Sequence, residues 1–267
     1  MSTAPTSIRW IIHLLGSAIV ACLLFPILAV VPASFNHASF IQLPPAKLSF
    51  RWYQVFFSDP DWIRSVLTSF EVALIATILA VTMGMFAAIG LERCSARIRA
   101  SILALVISPL IVPVIMTSIA LYYISRPLGL HGSVIGLALG HTLLCLPFAV
   151  INIGVSLKGL DRTLLRAAEG LGAGPWYVFR TVTLPFILPG LAGGAAFAFI
   201  TSFDEVVISI FLAGIKAKTL PVKMWEIVRV EFTPVIAVAS TLLIILTLVM
   251  FIAMQWMGRK RAYRSKT

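Results

Sequence analysis

Residues 157–190 read LKGLDRTLLRAAEGLGAGPWYVFRTVTLPFILPG. Asp161 stands where a helix N-cap belongs, and good helix formers follow over 162–171. Gly172 and Gly174 stop that helix, because glycine accepts the left-handed conformation at a helix end. Pro175 suits the first turn of a second short helix over 176–182. Pro185 and Pro189 then open a long apolar run. The stretch is expected to be a helix–turn–helix lying at a membrane surface, between two apolar segments.

The flanking sequence decides what those segments are. Runs of at least 20 residues without Asp, Glu, Lys or Arg occur at 10–46, 72–91, 100–125, 127–157, 181–203 and 232–258. About 20 apolar residues in a helix cross the roughly 30 Å of bilayer hydrocarbon. The backbone must satisfy its own hydrogen bonds there, which leaves helices or a closed barrel. The ten-residue alternation of a barrel strand is absent. The expectation is an all-α polytopic membrane protein with spans near 8–31, 64–91, 100–124, 133–156, 186–211 and 235–257. These form one transmembrane domain over 1–267, with a loop at 157–185. Pro32, Pro44 and Pro45 break the first run, so residues 33–61 read as a loop. The first apolar stretch exceeds the 7–15 residues of a signal-peptide core and shows no cleavage site, so it reads as a retained helix.

Composition agrees. Of 267 residues, 60% are hydrophobic and 12% charged, and the mean hydropathy is +1.01. Soluble domains carry about 25% charged residues, so a soluble enzyme or a free nucleic-acid-binding protein is excluded. The net charge of +11 reads as basic loops. With six spans both termini share a side. That side carries thirteen of the 21 Lys and Arg residues, among them Arg93, Arg97, Arg99 and the tail GRKRAYRSK at 258–266. The bias puts both termini in the cytoplasm, with the tail touching lipid headgroups.

Catalytic motifs are missing. No GxxxxGK[ST], GxSxG or HExxH occurs, so the chain has no Walker-type phosphate loop and no catalytic residue. Cys22, Cys94 and Cys145 form no metal or disulfide pattern. His131 and His141 flank a helix with no acidic partner at metal spacing, and read as packing residues. No cofactor or metal is expected.

The pattern Ala167-Ala168, Gly172, Leu184-Pro185 resembles the EAA loop of inner-membrane permease subunits of binding-protein-dependent ABC importers. That signature is Glu-Ala-Ala, three residues, Gly, nine residues, Ile, one residue, Leu-Pro, and the spacing fits without a gap. Arg166 stands in place of the glutamate and Val182 in place of the isoleucine. The nearest carboxylate on the same helical face is Glu169. Residues 199–214, FITSFDEVVISIFLAG, with 218–225, KTLPVKMW, are similar to the second permease subunit of spermidine/putrescine-type importers. So are 49–53, SFRWY, and 57–60, FSDP.

The resemblance implies a type I ABC importer permease fold with a coupling helix. It implies half of a solute pathway in the bacterial inner membrane. It also implies three partners: a dimer of ATP-binding subunits, a second homologous permease and a periplasmic or extracellular solute-binding protein. Arg166, Ala167, Ala168, Glu169, Gly172, Leu184 and Pro185 would couple to the ATPase. The segment 219–231 is amphipathic, and in the resembled family outer loops of this kind meet the binding protein.

Charges inside spans are costly and often mark a solute path. Asp204 and Glu205 follow Thr181 by roughly 35 Å of continuous helix, which puts them in the outer half of span five. Glu71 lies about 15 Å into span two. These three carboxylates are candidates for drawing in a cationic solute of polyamine type. Gly132, Gly136 and Gly140 form a GxxxG ladder in span four, and Gly190 and Gly194 repeat it in span five, as close-packing positions. Two alternatives stay open at this point: a stand-alone secondary transporter or channel, and a membrane enzyme or assembly factor.

Overall fold

A computed structural model describes residues 6–231 and 233–264. Ser265, Lys266 and Thr267, the end of the basic tail, lie outside the described residues. Twelve helices occur among them. They are α1 (Thr6–Ser34), α2 (Arg51–Ser58), α3 (Pro60–Glu92), α4 (Ala96–Ile111), α5 (Val114–Ser125), α6 (Val134–Lys158), α7 (Arg162–Gly170), α8 (Pro175–Val178), α9 (Leu184–Phe203), α10 (Val207–Leu212), α11 (Leu220–Val230) and α12 (Val235–Arg264). Among the described residues five helical segments are long and apolar enough to span a membrane. The pair α4 and α5 makes a sixth if it counts as one span.

The chain forms two compact units. The smaller comprises residues up to Pro60 together with 226–246. In it, the segment expected to be loop contains α2, whose Trp52 and Phe56 are buried. The Trp52 indole donates to the Ala38 carbonyl at 3.0 Å, and the Ser34 and Tyr53 hydroxyls meet at 2.8 Å. The Asn36 amide donates to the carbonyls of Phe40 and Gln42 at 3.3 and 3.0 Å. Pro44 and Pro45 interrupt the chain as expected, but these side chains tie the interruption down.

The larger unit, 61–225 with the end of α12, is built around α6 and α9. Ala80, Ala88, Cys145, Ala149, Ile153, Leu157, Ile187 and Ala198 form one buried cluster. Lipid is as apolar as these side chains, so close contact rather than transfer from water holds them. Small residues allow it: a Cβ on Gly194 would lie 3.1 Å from the Ala149 Cα, and one on Gly84 2.7 Å from the Ala149 Cβ. The second GxxxG pair therefore sits on a helix seam. The first does not act as one. Gly132 precedes α6 with φ +74°, Gly136 meets the Leu130 carbonyl of the loop before α6, and Gly140 faces Ile208 and Leu212 of α10.

Two expected spans are broken. Residues 100–124 divide at Val112-Pro113, where α4 and α5 meet at 98°; proline lacks the amide that would continue the ladder. Residues 186–211 divide at 204–206, between α9 and α10. In contrast, the short helix expected at 176–182 does not stand apart. Helix α8 passes through a π turn at Phe179–Thr183 into α9, giving a helix from Pro175 to Phe203.

Candidate functional site

The loop after α6 is organised by two caps. The Asp161 carboxylate accepts from the Thr163 amide at 2.8 Å and starts α7. This hydrogen bond holds its pKa below the usual aspartate value. At the other end the Gly172 amide donates to the Glu169 carbonyl at 2.9 Å, and the Ala173 amide to the Ala168 carbonyl at 3.1 Å. That pair of bonds is the Schellman motif. Gly172 takes φ +82° with open space around it, so the glycine is required by its conformation rather than by crowding. Gly174 has φ −68° and caps α8 instead of ending α7.

On α7, Arg166, Ala167 and Glu169 are exposed. So are Leu164 and Leu171, at 54% and 89%. Leu164, Ala168 and Leu171 fall at i, i+4 and i+7, one apolar stripe whose two leucines are exposed and whose alanine is half-buried. Leu184 packs against the α6–α9 cluster, while Pro185 is exposed. The motif residues thus divide between an outward face and an anchor to the core.

The break in span five is the second place where polar groups gather. Asp204 ends α9 and is exposed; Glu205 is buried. The Glu205 carboxylate accepts from the Ile208 amide at 2.9 Å and the Ser209 amide at 3.0 Å, capping α10. The His141 ring of α6 lies against it, with Nε2 3.5 Å from Oε2. Its Nδ1 is 2.8 Å from the Ser202 hydroxyl, and its Nε2 is 2.9 Å from that of Ser209. With the proton on Nε2 the ring donates toward Ser209 and the carboxylate and Nδ1 accepts from Ser202; with the proton on Nδ1 the ring donates to Ser202 instead.

His141 therefore does not flank a helix: it lies within α6, is 1% exposed, and has an acidic neighbour. Sequence reasoning missed it because its three polar partners lie 61, 64 and 68 residues away. A polar residue amid the apolar run LGHTLL was the available signal. Glu71 is exposed on α3, and neither it nor Asp204 has an ion-pair partner among the described residues. The three candidate carboxylates thus occupy different settings: Glu205 is tied up, while Asp204 and Glu71 are open.

Outside the break, Arg64 and Lys223 approach the Asp61 carboxylate at 3.6 and 3.9 Å. They share a recess with Lys216 and Lys218. No group of His, Cys, Asp and Glu suited to a metal ion occurs among the described residues.

Residues 80–263 match the family described as binding-protein-dependent transport system inner membrane component. The spermidine/putrescine transport system permease protein PotC of Escherichia coli K12 is 30% identical over 245 residues, 92% of each chain. The putrescine transport system permease protein PotI of the same strain is 32% identical over 266 residues, 96% of this chain and 92% of that one. Among solved structures, a bacterial alginate ABC transporter in complex with alginate pentasaccharide-bound periplasmic protein aligns with a TM-score of 0.74 at 14% identity. That alignment covers 95% of this chain and 96% of the other. The chain belongs to the binding-protein-dependent transport system inner membrane component family and is the transmembrane permease subunit of an ABC importer, with the type I permease fold.

Proposed function

We propose that this permease carries a small cationic solute of the polyamine class, and that Asp204 and Glu71 present carboxylates to it along the path. The observation that carries the reading is an exposed carboxylate at the end of α9, Asp204, which has no ion-pair partner among the described residues. An unpaired charge at membrane depth is costly unless it faces water or a ligand. Relatives named for spermidine and putrescine transport, at 30% and 32% identity, support the same class.

Energy comes from partners. The chain has no phosphate loop, so a dimer of ATP-binding subunits hydrolyses ATP and a second, homologous permease completes the pore. Arg166, Ala167, Ala168, Glu169 and Gly172 belong to the coupling helix, whose Leu164–Ala168–Leu171 stripe seats in a groove of the ATPase. Leu184 and Pro185 pass its movement to α9. Both termini are cytoplasmic, and the basic tail rests on lipid headgroups. The segment around α11 and its basic recess faces the solute-binding protein.

The test is uptake by the complete complex in liposomes, with putrescine and spermidine as cargo. The reading requires ATP-dependent uptake that also needs the binding protein, and a KM for cargo raised at least about tenfold by Asp204→Asn. Uptake by this chain alone under an ion gradient would overturn the coupling reading. An unchanged KM in Asp204→Asn would overturn the solute-contact reading.

A further inference from the structure

We propose that Glu205 and His141 are positioning residues, a buried splint that sets the break in span five and thereby presents Asp204 to the path. The inference rests on the reading of Asp204 given above and divides the two adjacent carboxylates into different roles.

Both oxygens of Glu205 are engaged inside the fold. One oxygen accepts from the Ile208 amide; the other accepts from the Ser209 amide and lies 3.5 Å from His141 Nε2. Helix α9 ends at Phe203 and α10 begins at Val207, so the first amides of α10 have no partner in the preceding turn. The Glu205 carboxylate accepts from two of them in their buried position. His141 then ties both sides of the break to α6, through Ser202 before it and Ser209 after it. The other end of α10 is tied as well: the Gly132 amide donates to the Leu212 carbonyl at 2.9 Å. Between these ties Ile208 and Leu212 are buried with Val72, Leu137 and Leu144. With α10 fixed at both ends, the direction in which Asp204 leaves α9 is fixed too.

The two roles differ in what glutamine can replace. A cargo contact needs the charge, so Glu205→Gln would be as harmful as Glu205→Ala. A cap needs acceptor oxygens, of which glutamine keeps one of the two and alanine neither. The test uses the complete complex in liposomes, with Cys22, Cys94 and Cys145 replaced. Asp204→Cys is then introduced and its reaction with a water-soluble cationic methanethiosulfonate is followed. The expected result is a reaction rate changed at least about fivefold in Glu205→Ala and His141→Ala, and changed less in Glu205→Gln, which keeps one acceptor. In chains that keep Asp204, Glu205→Gln should leave the KM for putrescine within about threefold. A KM raised about tenfold in Glu205→Gln, with thiol reactivity unmoved in Glu205→Ala, would make Glu205 a cargo contact and overturn the splint. The thiol measurement needs no transported cation. A failure of the Asp204 reading therefore shows up separately, as an unchanged KM in Asp204→Asn.

Discussion

At the scale of single residues, neighbours in sequence have been given unlike work. Asp204 and Glu205 are adjacent carboxylates, yet one is exposed and the other is consumed by two backbone amides. Gly172 and Gly174 are both helix stops on the page, yet Gly172 alone of the two adopts positive φ. Replacing Gly172 by alanine should cost about 1–2 kcal/mol, the penalty of a left-handed residue with a Cβ. Faster hydrogen exchange at the α7 C-terminus and weaker solute-stimulated ATP hydrolysis would register it. Gly174→Ala should change neither. Asp161 has its pKa lowered by the Thr163 amide. The sign follows: the cap is fully present above the unfolded aspartate value, about 3.9, and is lost as pH falls through the lower folded value. Exchange of the first amides of α7 should rise only under that acid condition, and at neutral pH in Asp161→Ala.

At the scale of elements, the π turn at Phe179–Thr183 joins the coupling loop to a core helix without a hinge. A π turn holds one residue more than the α-helix would need. Deleting Thr181 should rewind it to α-helix with α7 and α9 kept in phase, because the wider turn absorbs the extra residue. Inserting one alanine after Phe186, in the regular helix, should instead rotate them by about 100°, since one residue is 1/3.6 of a turn. In the insertion variant ATP hydrolysis by the complex should persist while uptake per ATP falls at least about tenfold; equal uptake would exclude a role for this register. The α6–α9 seam is as exacting. Gly194→Val places a side chain against Ala149, and overpacking of this kind costs about 1–3 kcal/mol. A lower thermal midpoint in detergent is the expected signal.

At the scale of the whole molecule, what is left uncovered matters as much as what is packed. Helix α1 is exposed along its apolar length, from Trp10 to Leu28. The two leucines of the stripe on α7 are exposed too. Leu171→Glu should abolish co-purification of the ATPase while leaving the chain's own helical content and thermal midpoint unchanged. If the ATPase still co-purifies in full, the stripe is not its seat. The recess holding Arg64, Lys216, Lys218 and Lys223 against Asp61 carries net positive charge and would repel a cationic cargo. An acidic face of the binding protein fits it. Lys216→Glu combined with Lys218→Glu should weaken docking of the loaded binding protein about tenfold at low salt. The difference should shrink at high ionic strength, as the Debye length falls to about 3 Å at 1 M.

What the sequence determined by itself was whatever short range decides. Apolar run length dictated a helical membrane protein, because hydrocarbon leaves the backbone few other ways to satisfy itself. Asp161, Gly172 and Pro175 dictated the caps of the loop after α6, since each acts within four residues of its own position. The EAA-like spacing identified the family on the same local terms. The tertiary structure alone decided where spans break and which polar groups meet. No rule of composition marks 204–206 as a break, because the acceptor that makes it tolerable is a side chain turned back onto the next helix, steadied by a histidine 64 residues away. Likewise Gly132, Gly136 and Gly140 share a spacing but not a partner. A pattern along one helix states which residues are small, whereas the neighbour that exploits their smallness is chosen by packing across the fold.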